Sequence, residues 1–397
     1  MLQSLLPRSS SALSAASRST RALPCLNARS SRRHYALQAA DATDPKLSAI
    51  DPAQLTITRA TTPKDLLPNE ELVFGRTFTD HMLSLEWTAS DGWHPARITP
   101  YQNLSLDPAT CVFHYAFECF EGMKAYKDKN GDVRLFRPDK NMARMNRSSA
   151  RIALPTFDGN AMIELISKFP TRLLLYIRPT MIGTQKTLGV GPPGSALCYT
   201  IACPVGPYYP TGFKAVSLEA TTYAVRAWPG GVGNSKLGAN YAPCIVPQMQ
   251  AAARGFHQNL WLFEEQGEEY ITEVGTMNLF VAIKNEAGDK ELLTAPLDGT
   301  ILEGVTRDSI LALARERLVP EGWKVSERRL TMRELAEAAD QGRMLEVFGA
   351  GTAAVVSPMV DCGLPAGQEA GPIAKRMLDW ITGIQYGDEA HPWSVKL

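Results

Sequence analysis

The sequence predicts a two-domain protein of mixed α/β structure. At 397 residues the chain is longer than one ordinary hydrophobic core accommodates. Short strand patterns alternate with helix patterns along the chain, rather than being segregated into blocks. The stretch 204–212, which contains proline and glycine, is typical of the approach to a domain connection. We therefore predict a smaller N-terminal α+β domain over 36–209, a connection over 210–233 and a larger C-terminal domain over 234–397.

Short strands and one helix are predicted for the first domain. The alternating run Glu71–Phe78 and the run Val133–Phe136 predict strands. Asn141–Ala153 spaces its apolar residues as a helix does. The apolar run Leu173–Arg178 predicts a strand that ends at Pro179, because proline cannot donate a hydrogen bond to a sheet.

The second domain carries clearer signals. Thr331 and Glu334 have the spacing of a capping box, so a helix is expected to begin there and to end near Gly342. The other predicted elements are two helices and four strands: Ala242–Arg254, Thr306–Leu318, Asn259–Phe263, Tyr270–Glu273, Leu279–Ile283 and Met344–Phe348. The first of these helices is predicted to have one apolar face, formed by Ile245, Val246, Met249 and Ala253.

Composition excludes several classes of partner. The chain has 41 basic and 41 acidic residues, so its formal charge argues against nucleic acid or an anionic membrane as the main partner. No stretch is long and apolar enough to predict a membrane span.

The seven cysteines are scattered without C-x-x-C spacing. Neither a metal site nor a disulfide framework is predicted, and a reducing compartment is favoured.

The first 35 residues differ in kind from the rest. They contain many serines and alanines and no acidic residue, since the first acid is Asp41, and their arginines are Arg8, Arg18, Arg21, Arg29, Arg32 and Arg33. This composition is typical of a mitochondrial targeting peptide. The string Arg33-His34-Tyr35 predicts cleavage after Tyr35 and a location in the mitochondrial matrix. A disordered basic tail is the alternative.

Two charged residues stand out by their surroundings. Lys236 lies in a glycine-rich loop, 230–241, that carries no other charge. A lysine amine can bind an aldehyde cofactor covalently and then move protons at the substrate carbon, although most lysines are ordinary surface residues. Glu273 lies between apolar strand patterns, where a carboxylate is unfavourable unless it is paired. A pyridinium nitrogen would suit it, and a surface position or a protein ion pair is the alternative.

Three further segments could hold a phosphate. Gly304–Arg307 opens a predicted helix, so its amides and the helix dipole favour an anion. Thr352, in the loop Gly349–Ala353, could add a hydroxyl, and Arg144 could add a guanidinium. Helix capping, a β-turn and a solvated arginine are the respective alternatives. An amine, an acid and loops open to a phosphate together predict a pyridoxal-phosphate enzyme.

Several distinctive strings occur along the chain: Phe74–Met82, Cys119–Tyr126, Leu135–Pro138, Tyr176–Pro179, the Lys236 loop and Thr272–Asn278. In this order they resemble the branched-chain amino acid aminotransferases, which are fold-type IV pyridoxal-phosphate enzymes. The resemblance extends from about Glu70 to Gly387. It implies transamination of L-leucine, L-isoleucine and L-valine with 2-oxoglutarate, in a homodimer of the mitochondrial type with the cofactor between two domains.

The resemblance also implies site residues. Lys236 would be the catalytic residue, Glu273 would pair with the pyridine nitrogen and Tyr241 would bond the phenolic oxygen of the cofactor. The cofactor residues implied are Lys236, Arg144, Tyr241, Glu273, Val305, Thr306 and Thr352. The substrate residues implied are Phe74, Tyr115, Phe120, Tyr176, Arg178, Thr352 and Ala353, with Val190 reaching in from a second subunit.

Two departures from the family pattern are visible. Ala354–Ser357 stands where some mammalian mitochondrial relatives carry a Cys-x-x-Cys pair, so thiol switching is not expected there. The segment between Leu154 and Leu175 is shorter than the family usually shows. The alternatives within the fold are a D-amino acid aminotransferase and an aminodeoxychorismate lyase, and outside the enzyme class an inactive binding homologue.

Overall fold

The computed structural model describes residues 47–65, 67–68, 71–169, 174–205, 215–359 and 370–397. Within these ranges the chain forms two β-sheets and seven α-helices, which confirms the prediction of mixed α/β structure. The predicted targeting segment 1–35 and residues 210–214 of the predicted connection lie outside the described residues. None of the helices in the described part of the chain is long and apolar enough to span a bilayer.

The first sheet is built from the N-terminal half of the chain. Its strands are β1 (Thr56–Ile57), β2 (His81–Thr88), β3 (Gly92–Trp93), β4 (Arg97–Pro100), β5 (Glu118–Phe120), β6 (Met123–Lys127), β7 (Val133–Phe136), β8 (Leu175–Gly183) and β9 (Ser195–Pro204). The main path runs in the order β1-β4-β2-β9-β8-β6-β7, and β5 pairs with β8 beside β6. The predicted strand Val133–Phe136 is present as β7.

The second sheet follows in the chain. Its strands are β10 (Leu218–Thr221), β11 (Gln258–Glu265), β12 (Glu268–Val274), β13 (Met277–Lys284), β14 (Lys290–Thr294), β15 (Lys324–Glu327), β16 (Met344–Gly351) and β17 (Val355–Pro358). The four strands predicted in this half are therefore present. The last strand, β18 (Ser394–Lys396), returns to pair with β7 of the first sheet. The domain boundaries given above remain predictions.

The helices of the described residues are α1 (Cys111–Tyr115), α2 (Pro138–Arg151), α3 (Gly159–Ser167), α4 (Ile245–Ala253), α5 (Val305–Arg317), α6 (Met332–Asp340) and α7 (Pro372–Gln385). α2 begins three residues before the predicted start, because a proline at the first helical position is preorganised for a helix. The capping box at α6 is confirmed on its N-cap side, since the Thr331 hydroxyl accepts a hydrogen bond from the Glu334 amide at 3.0 Å.

The prediction that a strand ends at Pro179 is wrong. β8 continues through Pro179 to Gly183 between two neighbouring strands. The Pro179 carbonyl accepts a hydrogen bond from the Glu121 amide, so the missing N–H of Pro179 falls on the same side. Glu121 lies between β5 and β6, so the strand on that side is already interrupted opposite Pro179.

The prediction of a strand over Glu71–Phe78 is also wrong, because this segment forms a turn. Gly75 has a φ of 71°, a left-handed conformation that suits glycine, and the Arg76 amide donates to the Val73 carbonyl. The turn brings the Phe74 ring edge-on to Tyr176, with 4.9 Å between the ring centroids. The residues of the alternating run therefore form a local turn, in which Phe74 packs against Tyr176.

The predicted apolar face of α4 is present but points outward. α4 begins at Ile245, after a short turn of 3-10 helix over Ala242–Cys244. Ile245, Val246 and Met249 are 52, 61 and 65% exposed, so this face does not contribute to the core of the chain. Periodicity identifies which residues share a helix face, but it does not say what covers that face.

Candidate active site

A cavity of about 360 Å³ lies where elements of the two sheets meet. Its wall contains twelve of the fourteen site residues proposed from the sequence: Phe74, Phe120, Arg144, Tyr176, Arg178, Lys236, Tyr241, Glu273, Val305, Thr306, Thr352 and Ala353. Residues that are far apart in the sequence therefore converge on one space.

The backbone of Lys236 is held in place by contacts to helix α2 and to strand β5. Its amide donates to the Ser148 hydroxyl at 2.8 Å, and its carbonyl accepts from the Phe120 amide at 3.0 Å. The side chain of Asn240 braces the same loop by donating to the carbonyls of Val232 and Ser235. The loop thus fixes the backbone of Lys236 while the side chain reaches the cavity.

The amine of Lys236 meets two aromatic residues. Nζ donates a hydrogen bond to the Tyr241 hydroxyl at 2.9 Å and lies 4.5 Å from the centre of the Phe120 ring. A hydroxyl next to the amine gives it a neighbour with which it can exchange or share a proton.

Glu273 is buried with one oxygen saturated and the other directed at a cation. Oε1 accepts from the Asn278 side chain at 2.9 Å and from the Leu302 amide at 3.1 Å. Oε2 forms an ion pair with Nη1 of Arg226, and neither atom has another hydrogen-bond partner among the described residues. Oε2 is therefore able to accept a hydrogen bond from a group in the cavity.

Burial dominates the titration of Glu273. It raises the pKa of this carboxyl above its ordinary value, while the positive charges of Arg226 and Lys236 act in the opposite direction. Arg226 was not anticipated from the sequence. The sequence nevertheless contains a signal for Arg226, because it is the one charged residue in the string Val225-Arg226-Ala227-Trp228. Glu273 is a similarly isolated charge between apolar strand patterns.

Arg144 is fixed by a partner that was also not anticipated. Its Nε and Nη2 donate to the two oxygens of Glu121 at 2.7 and 2.8 Å, and Nη1 donates to the Glu303 carbonyl at 3.0 Å. Asn141 adds a bond to the same carboxylate. A guanidinium has five N–H donors, so Arg144 keeps donors for an anion in the cavity.

Loss of the Glu121–Arg144 ion pair is expected to lower the free energy of unfolding substantially. Burial acts to raise the pKa of Glu121, but Arg144 holds it below its usual range, so the carboxylate stays ionised. Glu121→Gln leaves a buried guanidinium without its counter-charge, and we expect the free energy of unfolding to fall by about 3 kcal/mol. Chemical denaturation measures this. Glu86→Gln, which breaks an exposed pair with Arg97, should cost less than about 1 kcal/mol. Equal losses in the two variants would contradict this account.

The N-terminus of α5 forms another part of the wall. Gly304, Val305 and Thr306 line the cavity, and the N-cap residue Gly304 makes no side-chain capping bond. The first amides of a helix lack partners within the helix, and the helix dipole adds positive potential there. Together with Arg144 and Thr352, this end of the cavity suits a phosphate.

The opposite wall is apolar apart from one guanidinium. Arg178 donates to the Tyr176 hydroxyl at 3.2 Å and lies over the Phe120 ring, with Cζ 4.6 Å from its centre. Its Nε is buried without a hydrogen-bond partner among the described residues. Phe74 packs against Tyr176 on the same side. A guanidinium with a free donor beside aromatic rings suits a carboxylate attached to an apolar group.

The two remaining site residues proposed from the sequence, Tyr115 and Val190, do not line this cavity. The Tyr115 hydroxyl donates to the Leu188 carbonyl, close to Val190 in the sequence. Tyr115 is 37% exposed and Val190 77% exposed. α1 and the segment around residue 190 thus share a surface of the described structure rather than the wall of the cavity.

Comparison with known proteins agrees with this geometry. The sequence model of the family Amino-transferase class IV matches residues 118–360. The mitochondrial branched-chain-amino-acid aminotransferase of Saccharomyces cerevisiae is 58% identical over 85% of this chain and 91% of its own length. The chain belongs to the branched-chain class IV aminotransferases.

Two further relatives support the assignment of family and fold. The cytosolic branched-chain-amino-acid aminotransferase of the same yeast is 56% identical, covering 88% of this chain and 98% of its own. The solved branched-chain amino acid aminotransferase of Thermobaculum terrenum, in its PLP form, superposes with a TM-score of 0.63 at 21% identity. That match covers 80% of this chain and 98% of the solved one, and it shows the shared fold. The fold-type IV prediction is confirmed.

Proposed function

We propose that this aminotransferase transfers the amino group of L-leucine, L-isoleucine or L-valine to 2-oxoglutarate, using pyridoxal 5'-phosphate. One observation carries the proposal: the amine of Lys236 and the carboxylate of Glu273 face one cavity that has a phosphate-binding end and a carboxylate-binding side. The products are the branched 2-oxo acids and L-glutamate.

The donor set of the cavity fits this cofactor. The buried Oε2 of Glu273 would accept a hydrogen bond from a ring N–H, and the Tyr241 hydroxyl would bond the phenolic oxygen. Arg144, the first amides of α5 and Thr352 suit the phosphate. When bound, pyridoxal phosphate supplies an aldehyde that links to an amine and a protonated ring that withdraws electrons from the substrate carbon.

Lys236 is the group that attaches the cofactor and moves the proton. Its amine is the nucleophile for the aldehyde, and once free it is the base that takes a proton from the substrate α-carbon. The Tyr241 hydroxyl, 2.9 Å from Nζ, orients the amine. Glu273 would place a carboxylate at the far end of the ring, and the positive charge of Arg226 acts against the effect of burial in favour of its ionised form.

The substrate side of the cavity accounts for two kinds of substrate. Phe74, Phe120 and Tyr176 provide apolar area for a branched side chain. Arg178 and the turn containing Thr352 and Ala353 provide donors for carboxylates. A 2-oxoglutarate molecule places its second carboxylate where the branched side chain otherwise lies, at the Arg178 edge.

The experiment that tests the proposal is a steady-state assay of purified protein with pyridoxal 5'-phosphate. We expect L-glutamate to form from 2-oxoglutarate with L-leucine, L-isoleucine or L-valine as amino donor, and no turnover with D-alanine. Turnover with D-alanine alone would indicate a D-amino acid aminotransferase. The absence of both turnover and visible cofactor absorbance would indicate an inactive binding homologue.

We further propose that the chain acts as a homodimer, with Tyr115 and Val190 contributing to the cavity of the partner copy. The exposed apolar face of α4 supports this proposal, because exposed apolar patches mark association sites. The predicted domain arrangement, with the cofactor between a smaller and a larger domain, belongs to the same proposal.

A surface variant tests the dimer. Met249→Asp places a charge on the exposed face of α4, and we expect it to convert a dimer to a monomer in light scattering at micromolar concentration. Val319→Asp introduces the same charge at another exposed apolar residue, 47% exposed, and should leave the mass unchanged. A dimeric Met249→Asp protein would show that this face of α4 does not form the interface.

We also propose a location in the mitochondrial matrix. The support is the basic, serine-rich composition of residues 1–35, which is that of a targeting peptide. Import of the full chain into isolated mitochondria, with loss of the first 35 residues, is the expected result. A chain that stays outside and keeps its N-terminus would contradict it.

A further inference from the structure

Lys124 contacts the turn that closes the substrate side of the cavity. It lies on β6 of the first sheet, and its Nζ donates a hydrogen bond to the Ala353 carbonyl at 2.7 Å across 229 residues of sequence. Ala353 belongs to the turn between β16 and β17 of the second sheet. Lys124 itself is not part of the cavity wall, so it approaches this turn from behind.

The direction of this bond fixes the direction of a neighbouring donor. In a trans peptide the carbonyl and the following N–H point to opposite sides, and no cis peptide occurs in the described residues. The Ala353 carbonyl points to Lys124, so the Ala354 amide points the other way. The four residues Gly351 to Ala354 all line the cavity, which lies on that other side.

The turn needs such a restraint because its geometry is unfavourable. Val355, which ends it, has a φ of 61°, a conformation that β-branched residues rarely adopt. A strained turn keeps one conformation only when its surroundings hold it. The bond from Lys124 joins this turn to a strand of the opposite sheet, and supplies one such restraint.

The surroundings of Lys124 suit a fixed support. Lys124 lies opposite Tyr176, a residue of the cavity wall, in the register of β6 and β8. A small void of about 10 Å³ beside it is lined by Thr306, Thr352 and Gln385, and Oε1 of Gln385 is buried without a partner among the described residues. This volume corresponds to about one water molecule. Burial lowers the pKa of Lys124 to about 8, and no carboxylate contributes to that shift.

We propose that Lys124 is a positioning residue for substrate binding: it holds the Gly351–Ala354 turn so that the backbone amides of this turn receive the substrate carboxylate. The inference rests on the proposed function. Lys124 does not contact the reacting atoms; it acts through the turn. Its loss therefore weakens the binding of carboxylate ligands and leaves the attachment of the cofactor and the chemical step largely intact.

The test compares Lys124→Met with the wild-type holoenzyme. We expect the KM values for L-leucine and 2-oxoglutarate each to rise about tenfold, the effect of losing one hydrogen bond to a charged donor, with kcat changed less than about threefold. The visible absorbance of the bound cofactor should not change. Lys127→Met, which removes an exposed lysine from the same strand, should keep wild-type values for KM and kcat.

Binding of two ligands to Lys124→Met distinguishes a loss of carboxylate binding from a general defect of the cavity. The dissociation constant of 4-methylvalerate, followed by cofactor absorbance, should rise about tenfold in Lys124→Met. That of isopentylamine, which has the same side chain without a carboxylate, should stay within about twofold of wild type. Lys124→Arg, which keeps a charged donor, should bring the KM values back to within about threefold and provides the test if the methionine variant does not fold.

The outcomes are distinguishable from those of the function itself. A wild-type protein without turnover of L-leucine contradicts the proposed function. An active wild type with unchanged KM values in Lys124→Met contradicts the role of Lys124. Equal weakening of 4-methylvalerate and isopentylamine also contradicts it, because such a defect would not be specific to the carboxylate.

Discussion

Lys236→Ala is expected to abolish transamination and the visible absorbance of the bound cofactor. In the proposed function this side chain supplies both the covalent attachment and the base, so we expect kcat/KM for L-leucine to fall by about 10⁴-fold or more. The loop should keep its structure, because its contacts to Ser148 and Phe120 are made by the backbone of residue 236. The change is thus confined to the amine.

A steady-state assay and an absorbance spectrum measure this effect. Lys129→Ala is a suitable control, because that lysine is exposed and forms only a surface pair with Asp388 among the contacts of the described residues. It should retain wild-type kinetics. A Lys236→Ala protein that keeps the visible absorbance and turns over L-leucine would show that another amine carries the reaction.

Glu273→Gln is expected to slow the chemical step by about 10² to 10³-fold while leaving the cofactor attached. In the proposed function the amide would remove the negative charge that keeps the pyridine nitrogen protonated, so electron withdrawal from the substrate carbon would be lost. It also leaves the buried guanidinium of Arg226 without its counter-charge. Oε1 can still accept from Asn278 and Leu302, so the local fold is expected to persist.

Single-turnover mixing of the cofactor-loaded variant with L-leucine measures this rate directly. Glu268→Gln is the matched control, since Glu268 lies on the same strand and pairs with Arg333 at the surface. The control should react at the wild-type rate. A Glu273→Gln rate within about threefold of wild type would contradict the electrostatic role assigned to Glu273.

Lys236 and Glu273, which the proposed function assigns to cofactor attachment and to the ring nitrogen, stand out in the sequence because each is a lone charge whose neighbours offer it no partner. Lys236 lies among glycines and small residues, and Glu273 lies between apolar strands. Burying such a charge without a partner is unfavourable, so each of them implies a partner elsewhere. The resemblance to a known family then placed the other residues of the wall.

The supporting residues could not be predicted in this way. Glu121 meets Arg144 and Lys124 meets Ala353 only because β5, β6, α2 and the turn after β16 come together in three dimensions. Such pairs leave no periodic signal in the sequence. Arg226 is the exception among these supporting residues, because the sequence itself shows it as a lone charge among apolar residues.

The errors in the secondary-structure predictions have a common physical origin. The sequence predicts that a strand ends at Pro179, yet proline is tolerated within β8 because the adjacent strand is interrupted at Glu121. The apolar residues of α4 were assigned correctly to one helix face, but that face lies on the surface. In both instances the local pattern was correct, and the tertiary environment determined its meaning.

The most direct measurement of the central claim is to treat the cofactor-loaded protein with borohydride, digest it and map the modified peptide by mass spectrometry. We predict a single phosphopyridoxyl group, on Lys236. A modified group on Lys124 or on any other lysine, or a protein that acquires none, would contradict the account.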